Sequence, residues 1–158
     1  MTRGFIIARD TVRADGVREL VEANVRDNYA TSPAESVHVF DLAALNDDAI
    51  LFWCARDVRT DDVLGIGAIK PLSASTAEVK SMRTAEQARG RGIASELLRT
   101  MMDDCRQRGL RDLYLETGAE EYFAPARALY TKLGFTETGP FSNYDADPNT
   151  VFYTRSLT

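Results

Sequence analysis

Two glycines one residue apart, Gly90 and Gly92, stand between a β-branched run and a helix, and this is where the chain could bind an anion. The run is Ala77 to Thr84, and the turn is Gln87-Ala88-Arg89-Gly90-Arg91-Gly92. From there Ile93, Ala94, Leu97, Leu98, Met101, Met102 and Cys105 form the apolar stripe of an amphipathic helix. Gly109 is its stop, and Arg106 and Arg108 lie in the last turn, where cations suit the dipole. A helix N-terminus aims free N–H groups at one point, and glycines let an anion approach the backbone closely. Strand, glycine turn and helix together form a phosphate-binding geometry.

Other residues on or near this stretch could move protons. Even spacing puts Glu78, Lys80, Met82 and Thr84 on one face of the strand, unless a bulge intervenes. Glu116 ends a neighbouring strand. Either glutamate could instead be an exposed sheet residue or a partner of Lys80. His38 is the one histidine, and a lone histidine is more often structural than catalytic. Cys54 and Cys105 fall in apolar elements and read as reduced core residues. No Cys/His/Asp cluster has metal-ligand spacing, so no metal is expected.

The elements that must position these groups follow from periodicity and turn residues. Phe5 to Arg9 is a strand, and Asp15 is read as the cap of a helix with Val17, Leu20, Val21 and Val25 inward, ending at Asn28-Tyr29. Ser32-Pro33-Ala34-Glu35 reads as a capping box opening a short second helix. Ile50 to Arg56 and Val63 to Lys70 form an antiparallel hairpin, with Trp53 as core. Gly65 and Gly67 inside the second strand signal close approach of another backbone or a bulge. Ala77 to Thr84 completes the meander. Asp112 to Thr117 is a strand, and Pro125 opens a helix with Ala126, Leu129, Tyr130 and Leu133 inward and Gly134 as its stop. Phe135 to Thr138 and Val151 to Ser156 are the last strands, joined by the loop Gly139 to Thr150. This order is a mixed α/β layer structure with a largely antiparallel sheet, expected as one domain over 1–158.

Composition narrows the partners. The chain has 158 residues and a net charge of −5, which argues against nucleic acid or an anionic membrane surface and is compatible with a cationic substrate. No apolar run approaches the roughly 18 residues of a membrane span. The N-terminal MTRGFIIARD is too short in its apolar part for a signal peptide, so a cytoplasmic location is the default expectation.

Three readings compete for the glycine turn. A Walker A loop needs Gly-Lys-Ser/Thr, which is absent. A dinucleotide fingerprint needs a third glycine or alanine where Ser95 stands, behind a strand of a parallel unit. The pattern Q-x-x-G-x-G-I-A before an amphipathic helix instead resembles the acyl-CoA pyrophosphate loop of the GNAT superfamily of N-acetyltransferases. Ala126-Arg127-Ala128-Leu129-Tyr130-Thr131-Lys132-Leu133-Gly134-Phe135 resembles that family's second signature, A-x-x-L-Y-x-K-x-G-F. The resemblance covers nearly the whole chain and is weakest before Ile50. SVH at Ser36 to His38, SMRT at Ser81 to Thr84, LETG at Leu115 to Gly118 and DPNTVF at Asp147 to Phe152 resemble a bacterial subgroup of small members. One departure is Phe123, where many members carry an asparagine at the pantetheine arm.

The resemblance implies a central sheet of about seven strands flanked by about four helices, and acetyl-CoA as cofactor. Cofactor contacts are then expected at Met82, Arg83, Thr84, Gln87, Arg89, Gly90, Arg91, Gly92, Ile93, Ala94 and Tyr130. Backbone N–H groups from Arg89 to Ala94 would cradle the pyrophosphate, with the Arg89 and Arg91 side chains adding charge unless they are solvated surface residues. The pantetheine would extend along the strand at Met82 and Thr84, where one N–H would serve as oxyanion donor. Tyr130 resembles the family's general acid facing the sulfur, although its place on the apolar stripe also fits a core residue. Glu78 and Glu116 are the candidate bases, and His38, Glu78, Glu116 and Tyr144 the candidate acceptor contacts. Asp145 is a further acidic group in the same loop as Tyr144. The activity implied is acetyl transfer to a primary amine, a small molecule first and a peptide N-terminus or lysine second, by direct attack in a ternary complex. No cysteine sits at an evident nucleophile position, which disfavours an acetyl-enzyme. The non-enzyme alternative is an acyl-CoA-binding sensor. A homodimer is compatible with this reading.

Overall fold

The computed structural model describes residues 4–158, so the first three residues of the N-terminal stretch lie outside the described part. In chain order the elements are β1 (Phe5–Arg9), α1 (Val17–Thr31), α2 (Leu42–Leu45), β2 (Leu51–Asp57), β3 (Val63–Pro71), β4 (Thr76–Thr84), α3 (Ile93–Gln107), β5 (Asp112–Gly118), α4 (Ala124–Lys132), β6 (Thr136–Thr138) and β7 (Thr150–Ser156). The strands form one seven-stranded sheet in the order β1-β2-β3-β4-β5-β7-β6. Every neighbouring pair is antiparallel except β4 and β5. This is the mixed, largely antiparallel sheet with four helices that the resemblance implied.

Both faces of the sheet are covered. Ile93, Leu97, Leu98 and Met101 of α3 and Tyr130 of α4 belong to the core on one face. Val17 and Val21 of α1 and Leu45 of α2 pack with Ile66 and Ala68 in the core on the other. Burial on both sides explains why β3 reads as a continuous apolar run rather than an alternating one. It also explains the two strand glycines. A Cβ at Gly65 would stand 2.8 Å from Ile93 Cγ2, and one at Gly67 would stand 2.8 Å from Met82 Sδ. The close neighbours are side chains, and the bulge is present as well.

That bulge corrects the even spacing expected along β4. The β3–β4 register slips between Ile66 and Ala68, and Ser81 takes the left-handed conformation with φ 58°. An extra residue reverses the alternation of faces. Lys80 lies opposite Ala68 and Arg83 opposite Ile66, so Glu78, Lys80 and Arg83 share the α1 face. Met82 packs against the α3 side instead.

The helix ends are partly as expected. The Gly109 and Gly134 stops are Schellman caps: Leu110 N–H donates to Cys105 C=O at 3.0 Å, and Phe135 N–H to Tyr130 C=O at 3.0 Å. The second cap sets the Phe135 ring against Tyr130, centroids 5.9 Å apart. Three local expectations are corrected. Gly16, not Asp15, is the N-cap of α1, with φ 83° and no side-chain cap, and the helix runs on to Thr31. The Ser32–Glu35 capping box does not form, because Ser32 Oγ donates to Glu120 at 2.8 Å and only a 3-10 turn follows at Ala34–Ser36. The short second helix is α2, where Asp41 accepts from Ala44 N–H at 2.9 Å.

The feature that makes a site is the join between β4 and β5. They pair only from Thr76–Asp112 to Glu78–Tyr114. Beyond Glu78 the strands splay, and β4 continues to Thr84 without a neighbour on that side. No helix among the described residues is long and apolar enough to cross a membrane.

Candidate active site

The site starts at the glycine turn. Gly90 and Gly92 have φ +82° and +79°, and no atom lies within 4 Å of where a Cβ would stand. Their glycine identity is therefore a backbone requirement in open space. Gly92 caps α3 with no side-chain hydrogen bond, so the helix's first N–H groups face outward. Arg89, Gly90, Gly92, Ile93, Ala94 and Ser95 line a groove with Met82, Arg83, Thr84 and Tyr130. Ile93 is 1% exposed, so its side chain belongs to the core and only its backbone faces the groove. Two expected contacts sit elsewhere. Gln87 is not among the groove's lining residues, and the Arg91 guanidinium lies over the Phe5 ring of β1, 5.9 Å from its centroid.

The splay continues the groove inward. Ala85 N–H donates to Leu64 C=O at 2.8 Å, and alternate residues of a strand turn their polar groups the same way. Arg83 therefore also turns toward β3, which leaves the Met82 and Thr84 backbone groups facing the gap. Met82, Phe123, Ala126, Tyr130, Asn24 and Asn28 line both the groove and an inner chamber, so the two are continuous. Phe123 occupies the position of the departure noted above, with its ring packed on Gly118, where a Cβ would meet it at once. Amide groups enter instead from Asn24 and Asn28 of α1, a pair visible in sequence only as an i, i+4 spacing on one helix face. Asn28 Nδ2 donates to Asn24 C=O at 2.8 Å. Contacts from α1 also tie across the gap: Arg83 pairs with Asp27 at 2.7 Å and donates to Tyr122 Oη at 3.2 Å. The Arg83 guanidinium holds the Asp27 carboxyl below its ordinary range.

The chamber gathers His38, Lys80, Ser81, Glu116 and Tyr130. Lys80 and Glu78 are 3% and 1% exposed at their side chains and pair at 3.3 Å. Lys80 Nζ also donates to His38 C=O and to Tyr144 Oη, each at 3.0 Å, and Tyr144 Oη donates to Glu78 Oε2 at 2.8 Å. A buried ammonium and carboxylate need such partners, since unpaired they would carry a large desolvation cost. Glu78 is thus held through Oε2 by Lys80 and Tyr144 and does not line the chamber. Glu116 does, with its Oε2 3.7 Å from His38 Nδ1. Burial pushes the Glu116 carboxyl up, and Lys80 and His38 offset part of that while Glu78 adds to it. Glu78 Oε1, His38 Nδ1, Ser81 Oγ and Arg83 Nε are buried without a hydrogen-bond partner. Tyr130 is buried, and desolvation, with Glu116 nearby, raises its phenol above the ordinary value. Burial likewise raises Tyr144, with Glu78 adding to it. Lys80 was legible beforehand only as a partner for a glutamate, because a lysine in a strand gives no sign of burial.

Burial pushes the Cys54 thiol up to about 12 and the Cys105 thiol to about 11, so neither is a ready nucleophile. Trp53 is core, at 2% exposure.

A groove fed by a helix N-terminus, opening past a buried tyrosine onto a carboxylate and an imidazole, suits group transfer from a phosphate-bearing carrier. The acetyltransferase (GNAT) family model matches residues 17–135. The chain is 37% identical to the uncharacterized N-acetyltransferase YsnE of Bacillus subtilis (strain 168), covering 94% of this chain and 97% of that one. It is 40% identical to the IAA acetyltransferase of Azospirillum brasilense, covering 96% and 97%. Among solved structures, a candidate acyl-CoA N-acyltransferase from Klebsiella pneumoniae superposes with a TM-score of 0.81 at 26% identity, over 99% of this chain and 100% of that one. The chain belongs to the GNAT family of acetyltransferases.

Proposed function

We propose that the protein transfers the acetyl group of acetyl-CoA to a primary amine of a small molecule, by direct attack in a ternary complex. The observation that carries this reading is the continuity of groove and chamber through Met82 and Tyr130, ending on Glu116 and His38. The residues present fit acetyl-CoA. The glycine turn offers outward N–H groups, the free side of β4 offers backbone polar groups, and Ser81 Oγ has no partner of its own. When bound, the cofactor supplies an activated acyl thioester.

The chain's own residues do the rest. N–H groups from Arg89 to Ala94 bind the pyrophosphate, with Arg89 adding charge. Asn24 and Asn28 face the pantetheine arm in place of an asparagine at 123. The free backbone of β4 at Met82 and Thr84 orients the carrier, and an N–H there is the donor for the carbonyl oxygen. Glu116 takes the proton of the attacking amine, whose ordinary pKa lies near 10.4. A carboxyl raised by burial is a stronger base than an ordinary one. Tyr130 keeps its proton at neutral pH and gives it to the departing sulfur. Glu78, paired through Oε2 with Lys80 and Tyr144 and set behind the chamber wall, positions that wall and is not the base.

The pH dependence of kcat/KM tests this assignment. Activity is expected to rise as pH climbs through the raised value of Glu116, because only the ionised form accepts the proton. Glu116→Gln should remove that limb and lower the rate about 100-fold or more. Glu78→Gln should keep the limb. A limb that survives in Glu116→Gln and vanishes in Glu78→Gln would reverse the two roles.

A further inference from the structure

A third cavity lies beyond the chamber. His38 lines both, so it stands between them. Glu35, Lys70, Tyr144, Asp145 and Asp147 also line this vestibule. Its charges are not equally free. Asp147 is committed, accepting from Ser36 Oγ at 2.6 Å and from Asn149 N–H at 2.8 Å. Glu35 and Asp145 are exposed. Two ammonium groups share the Phe40 ring: Lys80 Nζ is 4.3 Å from its centroid and Lys70 Nζ is 5.5 Å away. Lys80 is neutralised by Glu78. Among the described residues, Lys70 has the ring alone, with no carboxylate in ion-pair range.

We propose that Lys70 receives the anionic group of the acceptor, and that the acceptor is an amine carrying a carboxylate, of the amino-acid class. This rests on the N-acetyltransferase reading above. A plain monoamine leaves the Lys70 charge unanswered, and a diamine sets its second ammonium against it. A carboxylate answers it with one charge. A phosphate dianion would add a second negative charge beside Glu35 and Asp145. The acids draw the ammonium end inward, and His38 admits it to Glu116.

The test is a length series of ω-amino acids, each compared with the n-alkylamine and the α,ω-diamine of equal length. At the best length, kcat/KM should favour the amino acid by about tenfold or more, the scale of one hydrogen bond to a charged group. Lys70→Met keeps the contact with Phe40 and should erase the preference through KM, leaving kcat within about twofold. Lys70→Arg should retain it. Calorimetric titration of the same acceptors into the CoA complex should show the same split in Kd. Equal use of amine and amino acid, preference for the diamine, or equal loss on both in Lys70→Met would overturn this proposal alone. A protein that binds CoA yet acetylates neither class would overturn the transferase reading together with it.

Discussion

The glycine turn and the charged chamber share strand β4, yet they are built by opposite means. At the turn, the groups on offer are backbone N–H groups of contiguous residues, held by two left-handed glycines in open space. In the chamber, side chains come from β4, from β5, from the segment after the 3-10 turn and from the loop before β7. The turn depends on local conformation alone. The chamber depends on a buried ion pair, Lys80 and Glu78, whose charges must satisfy one another. The first kind of site tolerates change in its side chains, and the second does not.

Lys80→Met attacks the chamber at its most dependent point. It leaves the buried Glu78 with Tyr144 Oη as its remaining partner, and should lower stability by about 3–5 kcal/mol in urea unfolding. Adding Glu78→Gln should recover much of that loss. A single-variant loss under about 1 kcal/mol would show that the network is not mutually dependent, and the contrast with the turn would fail.

Tyr130 stands where the two regions meet, lining both groove and chamber. Tyr130→Phe should lower kcat by about tenfold or more while the Kd for CoA stays within about twofold. Equal losses in both would place Tyr130 with the groove as a packing residue.

Gly92→Ala sharpens the other side of the contrast. A Cβ there meets no neighbour, so the cost is that of the left-handed backbone, about 1 kcal/mol in unfolding. CoA affinity, read by calorimetry, should fall severalfold because the methyl enters the space above the N–H groups. Unchanged affinity would mean the anion does not sit at this turn.

The difference between the regions also governs what the sequence could convey. The turn, the α3 stripe and the Gly109 and Gly134 stops are local patterns. Their places in the chain and in the fold coincide, and the second signature led to Tyr130. Four site residues behaved otherwise, two on strands and two in the turn itself. Glu78 and Glu116 looked equivalent as strand carboxylates, but the bulge at Ser81 and the splay beyond Glu78 put one in a buried ion pair with Lys80 and the other on a cavity wall. Arg89 and Arg91 looked like a pair, but only Arg89 lines the groove. A bulge has no firm sequence signal at a serine, and rotamer direction has none at an exposed arginine.

By itself, the sequence determined the order of elements, the strand–glycine turn–helix join at Gly90 and Gly92 and the placement of Tyr130 on an inward helix face. Each depends on residues within a turn or two of one another, where propensity and periodicity act directly. Tertiary structure alone decided that β4 and β5 part after Glu78, that α1 supplies Asn24 and Asn28 to the groove, and that Lys80 spends its charge inside while Lys70 keeps its own. Those outcomes depend on which distant groups are brought together and how deeply each is buried, and that is a property of the packed chain.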